Sequence, residues 1–404
     1  MNRTLLFRSV FARLRRYKLK TLVMALGIVI GVLSTVLLQT VADGVHAAFI
    51  RFIGRAYPAD GVVLVAGTGF MGSGPGREKL ELADVETVAA SIGISQWDPV
   101  VYVGGRDVKR GGNNLRVPVT GYSERAESVR RRSVEDGELF SENEVRTRAR
   151  VAVIGATTAA TLFEGESAIG ADLFIDNIPF EVKGVLERVG VDPHGNDQDN
   201  AIWVPYTTVM DTMLKRTTVH AATFIVPGDR QESVQKEIAE IMRERHQIGT
   251  GEEDDFTIVT PVLMRQLLDR SFRTFTIFVP LIAGTVFVIS AVVILSIMQI
   301  SIKGRTKEIG LRKAVGARPG DLQTQIVLEV LLISAGASLA GLVLAVLGCM
   351  GLAPLLATKF GVQDVTPSAL VLLIAVVAAT ATGVAGGVLP ARRAARLDPV
   401  EALR

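Results

Sequence analysis

Residues 274–302 read TFTIFVPLIAGTVFVISAVVILSIMQISI, a run of 29 positions without a charged side chain. A helix rises about 1.5 Å per residue, so this run is longer than the roughly 30 Å of hydrocarbon that a transmembrane helix must cross. Three other uncharged runs have the same character, namely 21–42, 330–358 and 365–391, and the helix that contains the second of these is predicted over 321–358. The sequence therefore predicts four transmembrane helices. A cleaved signal peptide is the alternative for the first segment, but its apolar core would be shorter.

The composition agrees with a membrane protein and excludes several other classes. Hydrophobic residues make up 49% of the 404 positions, and the mean hydropathy is +0.36. The net charge of +3 gives no global basic field, so nucleic acid is not an expected partner. The one cysteine, Cys349, lies in an apolar run, which rules out a disulfide framework within one chain and indicates a packing role.

The positions of the basic residues predict the orientation of the four helices. Residues 1–20 hold seven Lys or Arg and no acid, and further basic residues crowd 303–320 and 392–404. Because cytoplasmic loops carry excess Lys and Arg, both termini and the 303–320 loop are expected in the cytoplasm. Residues 43–270 then lie outside. Apolar residues at helical spacing in 1–20 predict an amphipathic helix on the cytoplasmic surface, or else the frayed end of the first span.

Residues 43–270 predict a folded α+β domain of two lobes outside the cytoplasm. Helices are predicted over 80–91, 157–163 and 233–245, and a hairpin turn over 177–179. The predicted strands are 61–65, 100–103, 116–121, 151–154, 172–175, 180–185, 202–204 and 256–259. No Gly-x-Ser-x-Gly or His-Glu-x-x-His motif occurs. The loop 191–200 is rich in oxygen ligands, but its spacing is not that of an EF-hand, so we expect a solvated turn and no metal site. The glycine-rich stretch 67–76 is expected to be a loop.

The loop 303–320, KGRTKEIGLRKAVGARPG, predicts a short helix with apolar and charged residues on different faces. Such a helix between two spans is either a docking element for a cytoplasmic partner or an ordinary positive-inside loop, and the pattern alone leaves both open. Glu329 follows near the start of the third span, where its carboxylate can reach the interface.

Three separated motifs resemble those of FtsX/MacB-type ABC transporter permeases. RTKEIGLRKAVGAR at 305–318 is similar to their cytoplasmic loop and PARRAARLDPVEALR at 390–404 to their C-terminus. GELFS at 137–141, RVAVIG at 150–155 and IPFEVKGV at 178–185 resemble their periplasmic core domain. The resemblance implies a porter-like lobe with an inserted second lobe. It also implies a dimer, with a second copy or a paralogue, that works with two cytoplasmic ABC ATPases.

By position, the resemblance makes 308–315 the coupling helix that docks on the ATPase. The expected coupling residues are Glu308, Ile309, Gly310, Leu311, Arg312, Lys313, Ala314, Val315, Gly316 and Ala317. Two glycine pairs at Gly-x-x-x-Gly spacing predict close helix packing, either within one chain or between two chains. They are Gly27 with Gly31, and Gly383 with Gly387.

The 404 residues contain no Gly-Lys pair and hence no phosphate-binding loop. No enzyme activity is therefore expected from this chain, and ATP and magnesium are expected on a separate ATPase. The resemblance implies a permease of the inner membrane that converts ATP hydrolysis into movement of its outer domain, called mechanotransmission. Export or extraction of a lipid, lipoprotein, peptide or drug with a periplasmic adaptor is one expectation. Activation of a cell-wall hydrolase, as in FtsX, is the alternative.

Overall fold

The structure is a computed structural model that describes residues 18–56, 58–68, 80–316 and 318–396. It divides into two compact units. We call the first the membrane unit; it holds the described residues up to Ala47, Ser271–Ala357 and the described residues from Val362 onward. The second, the outer unit, holds Ala48–Arg270 and Thr358–Gly361.

The elements in chain order are α1 (Lys18–Ala56), β1 (Gly61–Ala66), α2 (Leu82–Ile92), β2 (Trp97–Arg110), β3 (Asn113–Tyr122), α3 (Ala126–Arg130), β4 (Val134–Gly137), α4 (Glu142–Thr147), β5 (Val151–Ile154), α5 (Ala156–Phe163), β6 (Asp172–Ile175), β7 (Ile178–Leu186), β8 (Ile202–Pro205), α6 (Tyr206–Thr208) with a π-helical turn (Val209–Leu214), β9 (Ala221–Ile225), α7 (Gln231–Arg245), β10 (Phe256–Val259), α8 (Pro261–Lys303), α9 (Thr306–Ala314), α10 (Pro319–Phe360) and α11 (Ala369–Arg396).

Four helices, α1, α8, α10 and α11, are long and apolar enough to cross a membrane. Helices α1, α8 and α10 each contain a whole predicted segment, and α11 contains the fourth apart from residues 365–368, so the predicted fold class is confirmed for the helical part. A shared apolar core lies among them and includes Ile28, Val32, Val330 and Ala379. The predicted amphipathic helix over 1–20 falls almost wholly outside the described residues; its last three residues begin α1.

The first lobe of the outer unit is a four-stranded antiparallel sheet in the order β10-β1-β9-β2. Helices α2 and α7 pack against each other beside it. Each helix joins two strands of the sheet, so the lobe has the β-α-β-β-α-β arrangement known as ferredoxin-like. Helix α7 buries Val234, Ile238 and Met242, which are four residues apart and therefore lie on one face.

The second lobe is inserted between β2 and β9 and closes on itself. Its strand pairings run β2-β3-β8-β5-β7-β6 and return from β6 to β2. Because every strand of this circuit has two neighbours, the lobe has no open edge there. Its interior is apolar, with Val108, Val119, Val182 and Val204 fully buried.

Several details of the outer unit differ from the sequence prediction. The short elements α3, β4, α4 and α6 were not predicted, and β2 is longer than the predicted strand 100–103. Strand β9 was not predicted, although it lies between β1 and β2 in the first lobe. The β6–β7 turn was predicted at 177–179, but it lies at Asp176 and Asn177, whose φ angles are 47° and 67°. Positive φ angles at both central residues are typical of a type I′ turn, whose twist matches that of the two flanking strands. Asp and Asn adopt positive φ angles more readily than most residues.

Within the oxygen-rich loop 191–200, the side-chain oxygens accept hydrogen bonds from the loop's own backbone and side chains. Asp192 is buried and accepts hydrogen bonds from the backbone of His194 and Asn196 and from the side chain of Gln198. Asp199 is also buried and accepts from Val189 N–H. These carboxylates therefore stabilise the loop conformation. The predicted loop at 67–76 lies outside the described residues, apart from its first two positions.

Candidate coupling site on helix α9

Helix α9 (Thr306–Ala314) is a short helix bounded by turns on both sides. Its first turn contains Glu308 and its last turn contains Arg312 and Lys313, so the charges complement the helix dipole. The helix ends where Gly316 takes a φ of 96° and donates its N–H to the Lys313 carbonyl at 3.0 Å. Glycine adopts this left-handed conformation without steric cost, which fixes the end of the helix.

The helix buries one face in the membrane unit and exposes another. Ile309, 8% exposed, and Gly310 are buried, and Ile309 belongs to the apolar core shared by the long helices. Leu311 is 58% exposed and Val315 is 82% exposed. These two residues are four positions apart, so they form one apolar strip on the exposed face.

Charged residues border this strip. Glu308 accepts a hydrogen bond from Arg312 at 2.5 Å, and both side chains are partly exposed. A pair at i and i+4 on a helix surface contributes only about 0.3–0.5 kcal/mol, so its main effect is to orient the two groups. An exposed apolar strip with a charged border is the composition expected of a protein-docking surface.

Two polar contacts connect this region to the first turns of α10 (Pro319–Phe360). Arg312 Nη1 donates to Gln325 Oε1 at 3.2 Å. Arg305, the residue before the helix, pairs with Glu329 at 3.6 Å between Nη1 and Oε2. Gln325 and Glu329 are each only 6% exposed.

The position of Glu329 differs from the expectation that its carboxylate would reach the interface. It is 6% exposed and pairs with Arg305, the residue that precedes α9. The charge of Glu329 between the apolar residues 326–328 and 330–333 was the available signal for a partner nearby. Its partner, Arg305, could not be named without the fold.

The remaining predicted coupling residues lie in the same region. Lys313 is half-buried, and Ala314 and Gly316 are exposed. Ala317 lies outside the described residues. Among the residues that the structure describes, no group of three His, Cys, Asp or Glu side chains is arranged to hold a metal.

The four glycines at Gly-x-x-x-Gly spacing lie at contacts between helices of this same chain. A Cβ on Gly27 would come within 2.9 Å of Ser290 Oγ, and one on Gly31 within 2.8 Å of the Phe287 ring. Both contacts join α1 to α8. A side chain at either position would push these two helices apart.

The second glycine pair joins α11 to α10. A Cβ on Gly383 would lie 2.6 Å from Ser334 Cβ, and one on Gly387 would lie 2.9 Å from Val330 Cγ2. Gly386, which the sequence reasoning missed, is equally close to the Ala291 carbonyl of α8, at 2.8 Å.

The chain has four helices of membrane-spanning length. An α+β domain, with one ferredoxin-like lobe and one closed lobe, lies between the first and the second of them in the sequence. This architecture is that of a multi-pass membrane protein with one large domain outside the helical part. Two family models match the chain in this order. The MacB-like periplasmic core domain matches residues 21–241, and the FtsX-like permease C-terminal matches residues 280–399. The first match alone covers more than half of the chain. The chain therefore belongs to the FtsX/MacB-type family of ABC transporter permeases.

Curated relatives include two proteins named macrolide export ATP-binding/permease protein MacB. The protein from Hyphomonas neptunium is 30% identical over 398 residues, which are 98% of this chain and 60% of that protein. The protein from Marinobacter nauticus is 31% identical over 388 residues, which are 95% of this chain and 58% of that protein. This chain thus spans about three fifths of the length of these relatives.

Among solved structures, the periplasmic region of MacB from Actinobacillus actinomycetemcomitans matches 54% of this chain and 95% of its own length. The TM-score is 0.46 and the sequence identity is 19%. The extracellular domain of the noncanonic ABC-type transporter YknZ from Gram-positive bacteria matches 50% of this chain, with a TM-score of 0.41 and 17% identity.

Proposed function

We propose that this chain is the permease subunit of an ABC transporter whose ATP-binding subunit is a separate cytoplasmic protein that docks on α9. The observation that carries the proposal is the exposed apolar strip of Leu311 and Val315. A partner that covers this strip removes apolar area from water, which is the main driving force for protein association. The buried face of the same helix lies in the core of the membrane unit, so a force on α9 is passed to the long helices.

The proposed cycle is mechanotransmission. ATP binding closes two ATPase subunits, which displaces the two copies of α9 in a permease dimer. The long helices then move, and the outer units follow. In this orientation both termini and α9 face the cytoplasm, as the distribution of Lys and Arg favours. ATP and magnesium are bound by the ATPase.

The proposed task of the moving outer unit is the export or extraction of a lipid, lipoprotein, peptide or drug from the inner membrane, with a periplasmic adaptor. Relatives named for macrolide export support export over activation of a cell-wall hydrolase. The family match of the outer unit to the MacB-like periplasmic core domain supports the same choice.

The test is purification of the tagged full-length chain from its native membranes, followed by mass spectrometry of the co-purified proteins. Leu311→Asp places a carboxylate in the proposed interface. The matched control is Phe174→Asp, because Phe174 is an apolar residue of the outer unit that is 44% exposed. Loss of a central interface residue costs about 2 kcal/mol or more, which corresponds to roughly 30-fold weaker binding.

We expect a P-loop ATPase with the unchanged chain and with Phe174→Asp, and its loss with Leu311→Asp. Equal recovery of the ATPase with Leu311→Asp would show that α9 is not the docking site. Absence of any ATPase, even after cross-linking in intact membranes, would overturn the proposed function itself. An adaptor or a hydrolase among the recovered proteins would distinguish export from activation of a hydrolase.

A further inference from the structure

Helix α9 is linked to α10 by two polar contacts placed at its two ends. Arg305 immediately precedes the helix and pairs with Glu329, and Arg312 in its last turn donates to Gln325. Gln325 and Glu329 are four residues apart, about 6 Å along α10. The start of α9 thus contacts the later residue of α10, and its end contacts the earlier one.

The partners on α10 are surrounded by apolar residues. Leu322, Ile326 and Val330, which alternate with Gln325 and Glu329 on the same helix, all belong to the core of the membrane unit. Placing a carboxylate and an amide among them is unfavourable unless both are paired. Apolar residues at these positions would hold the two helices together equally well. What the polar pairs add is a restricted geometry, because both pairs can form together only over a narrow range of rotations and registers of α9.

We propose that Arg305, Arg312, Gln325 and Glu329 fasten α9 to the first turns of α10, so that the two segments move as one lever. This inference rests on the proposed function, because it states which membrane helix receives the displacement of α9. Gln325 and Glu329 are positioning residues in this scheme. They set the angle and register of the helix and do not contact the ATPase.

A turn lies on each side of α9. Because of these turns, the orientation of α9 is not set by the directions of α8 and α10. Gly304 lies between α8 and α9, and the nearest atoms to a Cβ placed there are backbone oxygens at 3.6 Å and 3.7 Å. Gly316, with its φ of 96°, lies between α9 and α10. The chain connections at both sides are thus turns, and the two polar pairs supply the fixed geometry.

The lever is tested by double electron–electron resonance on the full-length chain in nanodiscs. Spin labels are placed at Lys307 and Thr324, which are exposed on α9 and α10, in a Cys349→Ala background. The test variant is Arg305→Met with Glu329→Met, which keeps side-chain volume so that the fold is maintained even if either single change is not tolerated. A control pair, Asp321→Met with Arg393→Met, removes the same charges from exposed positions.

We expect one narrow distance distribution for the unchanged chain and for the control pair. The Arg305/Glu329 variant should lose it and show a broad distribution, and Arg312→Met with Gln325→Met should do the same. The Arg305/Glu329 variant should still bind the ATPase but should lose the ATP-dependent change in distance between labels on the outer units of the dimer.

An unchanged narrow distribution in both double variants would overturn the inference. So would an ATP-dependent change that persists at full size in the Arg305/Glu329 variant. The distance between the labels on α9 and α10 is measured without the ATPase. It therefore tests whether the two segments are fastened to each other even if no ATPase binds. Failure to recover an ATPase from the unchanged chain would instead count against the proposed function.

Discussion

Removal of the Asp98 carboxylate should destabilise the outer unit more than any surface change. Asp98 lies on β2, in the part that pairs with β9 of the first lobe, and is fully buried. Its carboxylate accepts a hydrogen bond from Ser123 N–H at 2.7 Å and one from Arg130 Nε at 3.0 Å. Ser123 follows β3 of the second lobe, so Asp98 connects the two lobes at their shared strand.

The expected loss of stability in Asp98→Ala follows from the burial of this carboxylate. Burial raises the pKa of Asp98, and the charge of Arg130 and the hydrogen bond from Ser123 act in the opposite direction. Removing one partner of a buried ion pair costs about 3–5 kcal/mol, because the other partner stays buried without it. For a domain of this size each kcal/mol lowers Tm by about 2–4 °C, so Asp98→Ala should lower Tm by roughly 6–20 °C.

The assay is thermal unfolding of the full-length chain in detergent, followed by tryptophan fluorescence. The sequence has two tryptophans, Trp97 and Trp203, and both lie in the outer unit, so the signal reports that unit alone. The control is Asp211→Ala. Its pair with Arg148 is shorter, at 2.7 Å, but the side chains are 50% and 59% exposed. An exposed pair contributes about 0–1 kcal/mol, so the control should shift Tm by only a few degrees.

Equal lowering of Tm by Asp98→Ala and Asp211→Ala would refute this prediction. That result would mean that the buried pair does not hold the lobes together, and that the apolar contacts of β2 are sufficient.

Two further predictions use the same protein. Burial opposes ionisation of Asp84, but hydrogen bonds from the Glu81 amide, Arg245 and His246 outweigh it and lower its pKa. A lowered carboxyl pKa gives stability that is complete above the ordinary value of about 4 and is lost as pH falls through the lower folded value. Tryptophan fluorescence should therefore show an acid-dependent fall in Tm that is smaller in Asp84→Asn; an equal fall would contradict this assignment. In the membrane unit, Gly383→Ala places a Cβ 2.6 Å from Ser334 Cβ and should cost about 1–3 kcal/mol, measured as helicity lost in an SDS titration. Gly336→Ala, with no atom within 4 Å, should be neutral, and equal effects of the two would exclude close packing at Gly383.

Much of the fold could be predicted because its strongest signals are local. Uncharged segments gave the four long helices, and buried strands such as Val151–Ile154 stood out as apolar runs. Strand β9, with the sequence AATFI, was missed because small residues dilute its apolar signal. Without β9 the strand order of the first lobe could not be assigned, since its two halves are separated by the whole second lobe.

The coupling helix was predicted over 308–315, and the structure has it at Thr306–Ala314. Its role as an ATPase-docking element remains a prediction. Its pairing with Gln325 and Glu329 could not be foreseen. Contacts between α9 and α10 depend on the angle of the turn that joins them, and the sequence does not give this angle. The exposed strip of Leu311 and Val315 was not predicted either, because the sequence of a short helix does not show which of its apolar residues are buried.

The second lobe enters and leaves the first lobe through β2 and β9, which are adjacent and antiparallel. A segment whose two ends meet at neighbouring strands can be lengthened, shortened or exchanged without changing the strand order of its host. The four strands β10-β1-β9-β2 and the long helices can therefore be kept during evolution while the inserted lobe diverges. Differences in what such proteins handle outside the cytoplasm would then be concentrated in residues 101–220, which makes this segment the natural part to exchange in chimaeras.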